Sequence, residues 1–192
     1  MTRIILQSAR EFDLLKPRAD LITTLDIAHA LSLICRFNGH CNRHYSVAQH
    51  SLLVADIVQS QGHSPEIQLQ ALLHDAAEAY VGDMVSPLKR LLWEANGYFD
   101  EIEERVWRAI CERFDLEPAL PDCIHTADMI ALATERRELL RSKLVLLQLM
   151  MTYSVHHLVN QELRFPGGDP VDALADMWWN EVFASGLARS SD

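Results

Sequence analysis

Apolar positions recur at intervals of three and four along most of residues 24–140, between capping residues on one side and glycine or proline on the other. That pattern predicts a succession of helices. Thr24 can cap a first helix from about Leu25 to Cys35, with Asp26 in its first turn and Asn38-Gly39 stopping it. Ser46 and Gln49 form a capping-box pair ahead of a helix that runs to about Ser60, just before Gly62. Ser64, Pro65 and Glu66 open the next, which Gly82 ends. Phe99, Ile102, Val106, Ile110 and Phe114 mark one face of another, and a further helix begins near Pro121-Asp122. Residues 141–163 read as helical in whole or in part, and PVDALADMWWNEVF closes the chain after an FPGGDP turn. Only the first twenty residues depart from this pattern: β-prone Ile4, Ile5 and Leu6 stand among charged residues and Pro17, as in a short hairpin or extended arm. The expected fold is all-α, one helical bundle spanning residues 1–192.

One stretch breaks the simple division into apolar and polar faces. LQALLHDAAEAYVGD places His74 and Asp75 inside a run that otherwise buries Leu69, Leu72, Leu73, Ala76 and Ala77. Buried ionisable groups are costly unless they are paired, hydrogen-bonded or bound to a metal. Two similar residues lie elsewhere. His50 falls on the stripe of Val47, Val54, Ile57 and Val58, and Asp128 on that of Ile124, Ala127 and Ala131. Two imidazoles and two carboxylates on inward surfaces suit one divalent transition metal, which would satisfy all four together. A hydrogen-bonded core histidine and a buried salt bridge are the plainer readings of His50 and Asp128.

Length and composition narrow the possibilities further. With 192 residues, 49% of them apolar, the chain can enclose the core of one domain. The longest apolar stretch, Leu144 to Met151, contains Gln148 and is far short of the roughly 18 residues of a membrane span. The opening MTRIILQSAREFD has no signal-peptide pattern, so a cytoplasmic location is expected. A formal charge of −10 disfavours binding to nucleic-acid polymers, although a small anion can be held by a few concentrated cations. The four cysteines form no CxxC pair and read as free thiols. Cys35, His40, Cys41 and His44 offer zinc donors, but adjacent His40 and Cys41 are poorly spaced to converge on one ion.

His50 in YSVAQHSLLVA, the doublet in LLHDAAEAYVGD and Asp128 in HTADMIALATE resemble the ordered H…HD…D signature of the HD-domain phosphohydrolase superfamily. The likeness is closest to its compact single-domain branch of 5′-deoxynucleotidases and related deoxynucleoside triphosphate phosphohydrolases. It runs from about Asp26 to Glu135, taking in DIAHALSLICRFNGH and VGDMVSPLK. The resemblance implies an HD-type bundle in which His50, His74, Asp75 and Asp128 are metal ligands, with Glu78 and Asp83 around the attacking water and the substrate. It further implies that Arg36 contacts phosphate, that Phe37 lies against sugar or base, and that Lys89 faces the phosphates. The implied partner is a small nucleotide, and a homodimer is implied without an interface. Manganese, iron, cobalt and zinc all suit the mixed donor set.

The residues themselves are compatible with these roles. On a continuous helix Glu78 lies about one turn, roughly 6 Å, beyond His74 on the same face. Asp83 follows Gly82 and also reads as an ordinary turn residue. Arg36, at a helix C-terminus, favours the dipole whatever the function. His125, one turn before Asp128, is a rival ligand, and His40 and His44 are near enough in sequence to line a pocket. The expected reaction is hydrolysis of a phosphate ester or anhydride on a small nucleotide. The competing readings are a non-catalytic nucleotide sensor, a cyclic-nucleotide phosphodiesterase and a purely structural helical protein.

Overall fold

The computed structural model describes residues 2–95 and 97–140. The helices expected after residue 140, with the Leu144–Met151 run, His156, His157 and the Trp178-Trp179 pair, lie outside the described residues. A two-stranded antiparallel hairpin opens the chain, β1 (Arg3–Ile5) against β2 (Glu11–Asp13), with Ile4 opposite Phe12. Alternation along β2 turns Phe12 inward, where it is fully buried with its ring 4.4 Å from that of Tyr80. The expected N-terminal hairpin is therefore present. After a 3₁₀ turn at Ala19–Leu21 the remaining described elements are helical.

α1 (Thr24–Leu33) is capped one residue earlier than the sequence pattern indicates: the side chain of Thr23, not Thr24, accepts the Asp26 N–H. Thr23 is extended while Thr24 is already helical, and only the extended residue can turn its hydroxyl back onto the first turn. The helix also stops before Cys35. Ile34 and Cys35 are extended, Cys35 bridges to Ser46, and Arg36 N–H donates to Tyr45 O at 2.9 Å. Between these pairings a 3₁₀ turn, Arg36–Gly39, reverses the chain, with Phe37 and Asn38 left-handed at φ 56° and 51°.

α2 (Val47–Ser60) carries the anticipated capping box in full: Gln49 N–H donates to Ser46 Oγ, and Ser46 N–H to Gln49 Oε1. The helix expected from Ser64 to Gly82 is broken. α3 (Pro65–Leu73) ends at the histidine, residues 74–77 form turns, and α4 (Glu78–Val81) follows. Ala76 N–H donates to Leu73 O and Glu78 N–H to Asp75 O, the three-residue spacing of a 3₁₀ turn. The His74 ring lies 2.7 Å from Ala71 O and takes a carbonyl that a continuous helix would offer to Asp75 N–H.

α5 (Ser86–Ala95), which the periodicity did not single out, packs against α6 (Tyr98–Phe114), and α7 (Asp122–Leu139) completes the described set. α2 packs against α1, α3 and α7. Val54, Val58, Ala71, Ile124, Ala127 and Ala131 form one apolar cluster along those seams. Small alanines on α3 and α7 let the neighbouring helices approach α2 closely, which brings His50, the doublet and Asp128 to one end of that cluster. No helix among the described residues is long and apolar enough to cross a membrane.

Candidate functional site

His50 is fully buried on α2. Its Nδ1 lies 2.6 Å from Glu135 Oε1, and its Nε2, which has no hydrogen-bond partner, lies 3.1 Å from Asp128 Oδ1 and 3.3 Å from Asp75 Oδ2. His74 repeats the arrangement. Its Nδ1 faces Ala71 O, and its Nε2, also buried and without a partner, lies 3.3 Å from Asp75 Oδ2. A carbonyl can only accept, so the hydrogen of a neutral His74 sits on Nδ1 and leaves Nε2 as a lone-pair donor. A neutral His50 would take the same tautomer, with its Nδ1 against Glu135 Oε1.

Donor atoms of His50, His74 and Asp128 all lie within 4.8 Å of one another, a group able to hold a metal ion. Asp75 is not in that mutual trio but stands beside both imidazoles, with its Oδ2 also 3.6 Å from Arg36 Nη1. Ligand bonds of about 2.0–2.2 Å place neighbouring donors on one ion roughly 3.0–3.5 Å apart. The 3.1 and 3.3 Å separations fall within that interval. Two buried imidazole nitrogens without hydrogen bonds are also what an ion would satisfy and water cannot reach.

Burial opposes ionisation of Asp75, yet His74, His50 and Arg36 hold its carboxyl well below the usual range. Asp128 is likewise held down against burial, chiefly by His50. Without an ion, burial would discharge His50, but Glu135 raises its proton affinity well above the ordinary value, so the Nε2 hydrogen is the one a bound cation would displace. Glu78 shows the opposite behaviour: burial, then the charges of Asp75 and Asp83, push its carboxyl well above the usual range. Its Oε2 is buried without a partner. Asp83, half-buried in the loop after α4, is raised by burial against the pull of Arg36.

Arg36 is buried beyond the end of α1, with its Nε 3.1 Å from Glu135 Oε2. Burial disfavours its charge, but Glu135, Asp75, Asp83 and Glu78 together keep it protonated. It is thus an internal counter-ion of the carboxylates rather than the helix-end cation that the sequence pattern indicated. The Arg36 guanidinium lies 5.4 Å from the ring centre of half-buried Phe37. Lys89 forms an ion pair with Glu103 and lies 5.7 Å from the Phe99 ring centre. A cleft of about 590 Å³ opens beside His74, Asp75 and Glu78 and runs between Lys89 and Trp93 of α5 and Glu103 and Trp107 of α6. His125, His40 and His44 are exposed, and Cys35, His40, Cys41 and His44 form no metal-holding group among the described residues.

The sequence pattern did not single out Glu135. It is fully buried and joins His50 to Arg36 through its two oxygens. Its signal was its spacing: Glu135 lies seven residues after Asp128, two turns along the same face of α7.

Fold and site together define a mostly helical protein with a largely buried two-histidine, one-carboxylate group that can hold a metal ion. No protein-family model matches the chain. It is 42% identical over 132 residues, 69% of its length and 69% of the relative's, to the uncharacterised protein YfdR of Escherichia coli (strain K12), and it belongs to the family of that protein. It is also 37% identical over 140 residues, 69% of its length and 70% of the relative's, to the uncharacterised protein RCAP_rcc00048 of Rhodobacter capsulatus.

Proposed function

We propose that the chain is an HD-type, metal-dependent phosphohydrolase that releases phosphate from small nucleotides, preferentially 5′-deoxynucleotides. The observation that carries this reading is the convergence of His50, His74 and Asp128 within 4.8 Å, with Asp75 against both imidazoles. The order of these residues along the chain is the one that resembles the HD signature. A divalent ion held there would act as a Lewis acid toward a phosphoryl oxygen and favour deprotonation of water.

The chain's own groups supply the remaining parts. Glu78, with an unpartnered oxygen on the cleft, would take the proton of the attacking water once a bound cation offsets Asp75 and Asp83 and leaves its carboxyl ionised. Asp83 shares that corner and orients the water or the sugar. Arg36 keeps a permanent positive charge in a pocket of carboxylates that would otherwise repel a phosphate. Lys89 contacts phosphate on exchanging its Glu103 partner for the incoming anion. The cleft between α5 and α6 receives the rest of the nucleotide.

The test is a screen of phosphate release from all deoxynucleoside mono- and triphosphates, with manganese, cobalt, iron and zinc supplied in turn. Ion-dependent release from at least one deoxynucleotide is expected. Absence of release from every combination, by protein that holds the ion, would leave a binding protein and overturn the reading.

A further inference from the structure

The Glu135 carboxylate is deep inside the fold, where an unpaired charge is strongly disfavoured. Its Oε1 faces the His50 ring at 2.6 Å and its Oε2 the Arg36 guanidinium at 3.1 Å, and the buried Tyr45 hydroxyl also interacts with this carboxylate. Attachment of the Arg36–Gly39 region to α7 does not depend on it alone. Asn42 N–H donates to Leu139 O at 2.9 Å, and Asn42 Nδ2 donates to Glu138 O at 3.0 Å. Glu135 is also no ligand, because it meets His50 at Nδ1, whereas Asp75 and Asp128 meet that ring at Nε2.

We propose that Glu135 is a positioning residue that serves both halves of the site. Through Oε1 it holds the His50 ring by Nδ1, so that Nε2 is aimed at the corner shared by Asp75 and Asp128. Through Oε2 it holds Arg36 so that Nη1 comes within 3.6 Å of Asp75. One buried carboxylate thereby sets the angle of an ion ligand and the placement of the buried cation. A carboxylate behind a ligating imidazole makes the ring a better donor and limits its rotation, and loss of such a partner typically weakens metal binding about 10- to 100-fold. This inference rests on the reading of the His50, His74 and Asp128 trio as a metal centre.

The experiment measures Mn²⁺ and Co²⁺ affinity by equilibrium dialysis for the intact protein and for Glu135→Gln, Arg36→Gln and the double variant. Glu135→Gln keeps the side-chain size but presents no charge to His50, and should bind roughly 10- to 100-fold more weakly. The visible absorption bands of its bound Co²⁺ should shift, since the imidazole donor has changed. Glu135→Gln also strands Arg36 without its buried partner. If that variant does not fold, the double variant, which removes both charges, carries the test and should show the same weakening. Arg36→Gln alone, which takes a cation from beside Asp75 but leaves Glu135 against His50 Nδ1, should weaken binding less than either. Folded Glu135→Gln or double variant with unchanged affinity and Co²⁺ spectrum would overturn the role of Glu135 while leaving the metal centre standing. Equal weakening in Arg36→Gln would overturn it as well, because any disturbance of the pocket would then suffice. Intact protein that takes up neither ion would overturn the underlying metal-centre reading, and this inference with it.

Discussion

The position of one hydrogen decides what each imidazole can do. His74 faces a carbonyl and His50 a carboxylate at Nδ1, so each presents Nε2 to the same corner. Asp75 and Glu78 lie within the same turn yet differ in kind: positive neighbours hold Asp75 ionised, whereas burial and negative neighbours favour the proton on Glu78. Their substitutions should therefore separate. Asp75→Ala should lose ion and phosphate release together, while Glu78→Ala should retain the ion, measured by metal content, and lose turnover by roughly 100- to 10,000-fold. Equal metal loss in both variants would contradict the division of labour. His50, His74, Asp75 and Asp128 were legible because each is an ionisable residue on an apolar stripe. Glu135 was not, because in TERRE it looks like one more surface charge and only the packed fold buries it.

Helix starts could be read from short-range chemistry, and the helix break could not. The capping box at Ser46 needs only its own four residues, whereas the interruption after Leu73 depends on the His74 ring bonding Ala71 O. The alanines of DAAEAY favour helix and conceal it. α5 has the same Ser-Pro opening as α3, but it is charged at Lys89, Arg90 and Glu94, and none of its residues is fully buried. The hairpin is tied to α1 through Asp26, which accepts from Ser8 N–H at 2.9 Å, Ser8 Oγ at 3.0 Å and Thr23 Oγ1 at 2.6 Å. Burial opposes its charge, but Thr23, Ser8 and Arg10 hold its carboxyl below the ordinary value. A depressed folded pKa contributes stability that is complete above the unfolded value of about 3.9 and is lost as pH falls through the folded one. Asp26→Asn should lower stability at pH 7 by about 1–3 kcal/mol and flatten the pH dependence below about pH 4, read from urea midpoints. An unchanged acid slope would assign that branch to other carboxylates.

The molecule brings together residues from positions 50 to 128 because α2 packs between α3 and α7. Periodicity could predict that each group faces inward, but not that three helices would turn those faces toward one point, since convergence is a property of packing. The charge of −10 takes on meaning at the site, where a buried Arg36 stands among four carboxylates and a divalent ion would relieve more of their repulsion. Binding to the folded state alone should raise stability by about 2.7 kcal/mol at an ion concentration one hundred times Kd, measured as a shift of the thermal midpoint against a chelator-treated control. No shift with any of the four transition metals would contradict this.

Anomalous scattering from a crystal of the protein grown with Mn²⁺ or Co²⁺ tests the shared ion most directly. The expected result is one peak about 2.0–2.3 Å from His50 Nε2, His74 Nε2 and an Asp128 oxygen, with Asp75 beside or on it. Density that leaves the two imidazoles apart, or an ion bound elsewhere with this corner empty, would contradict the account.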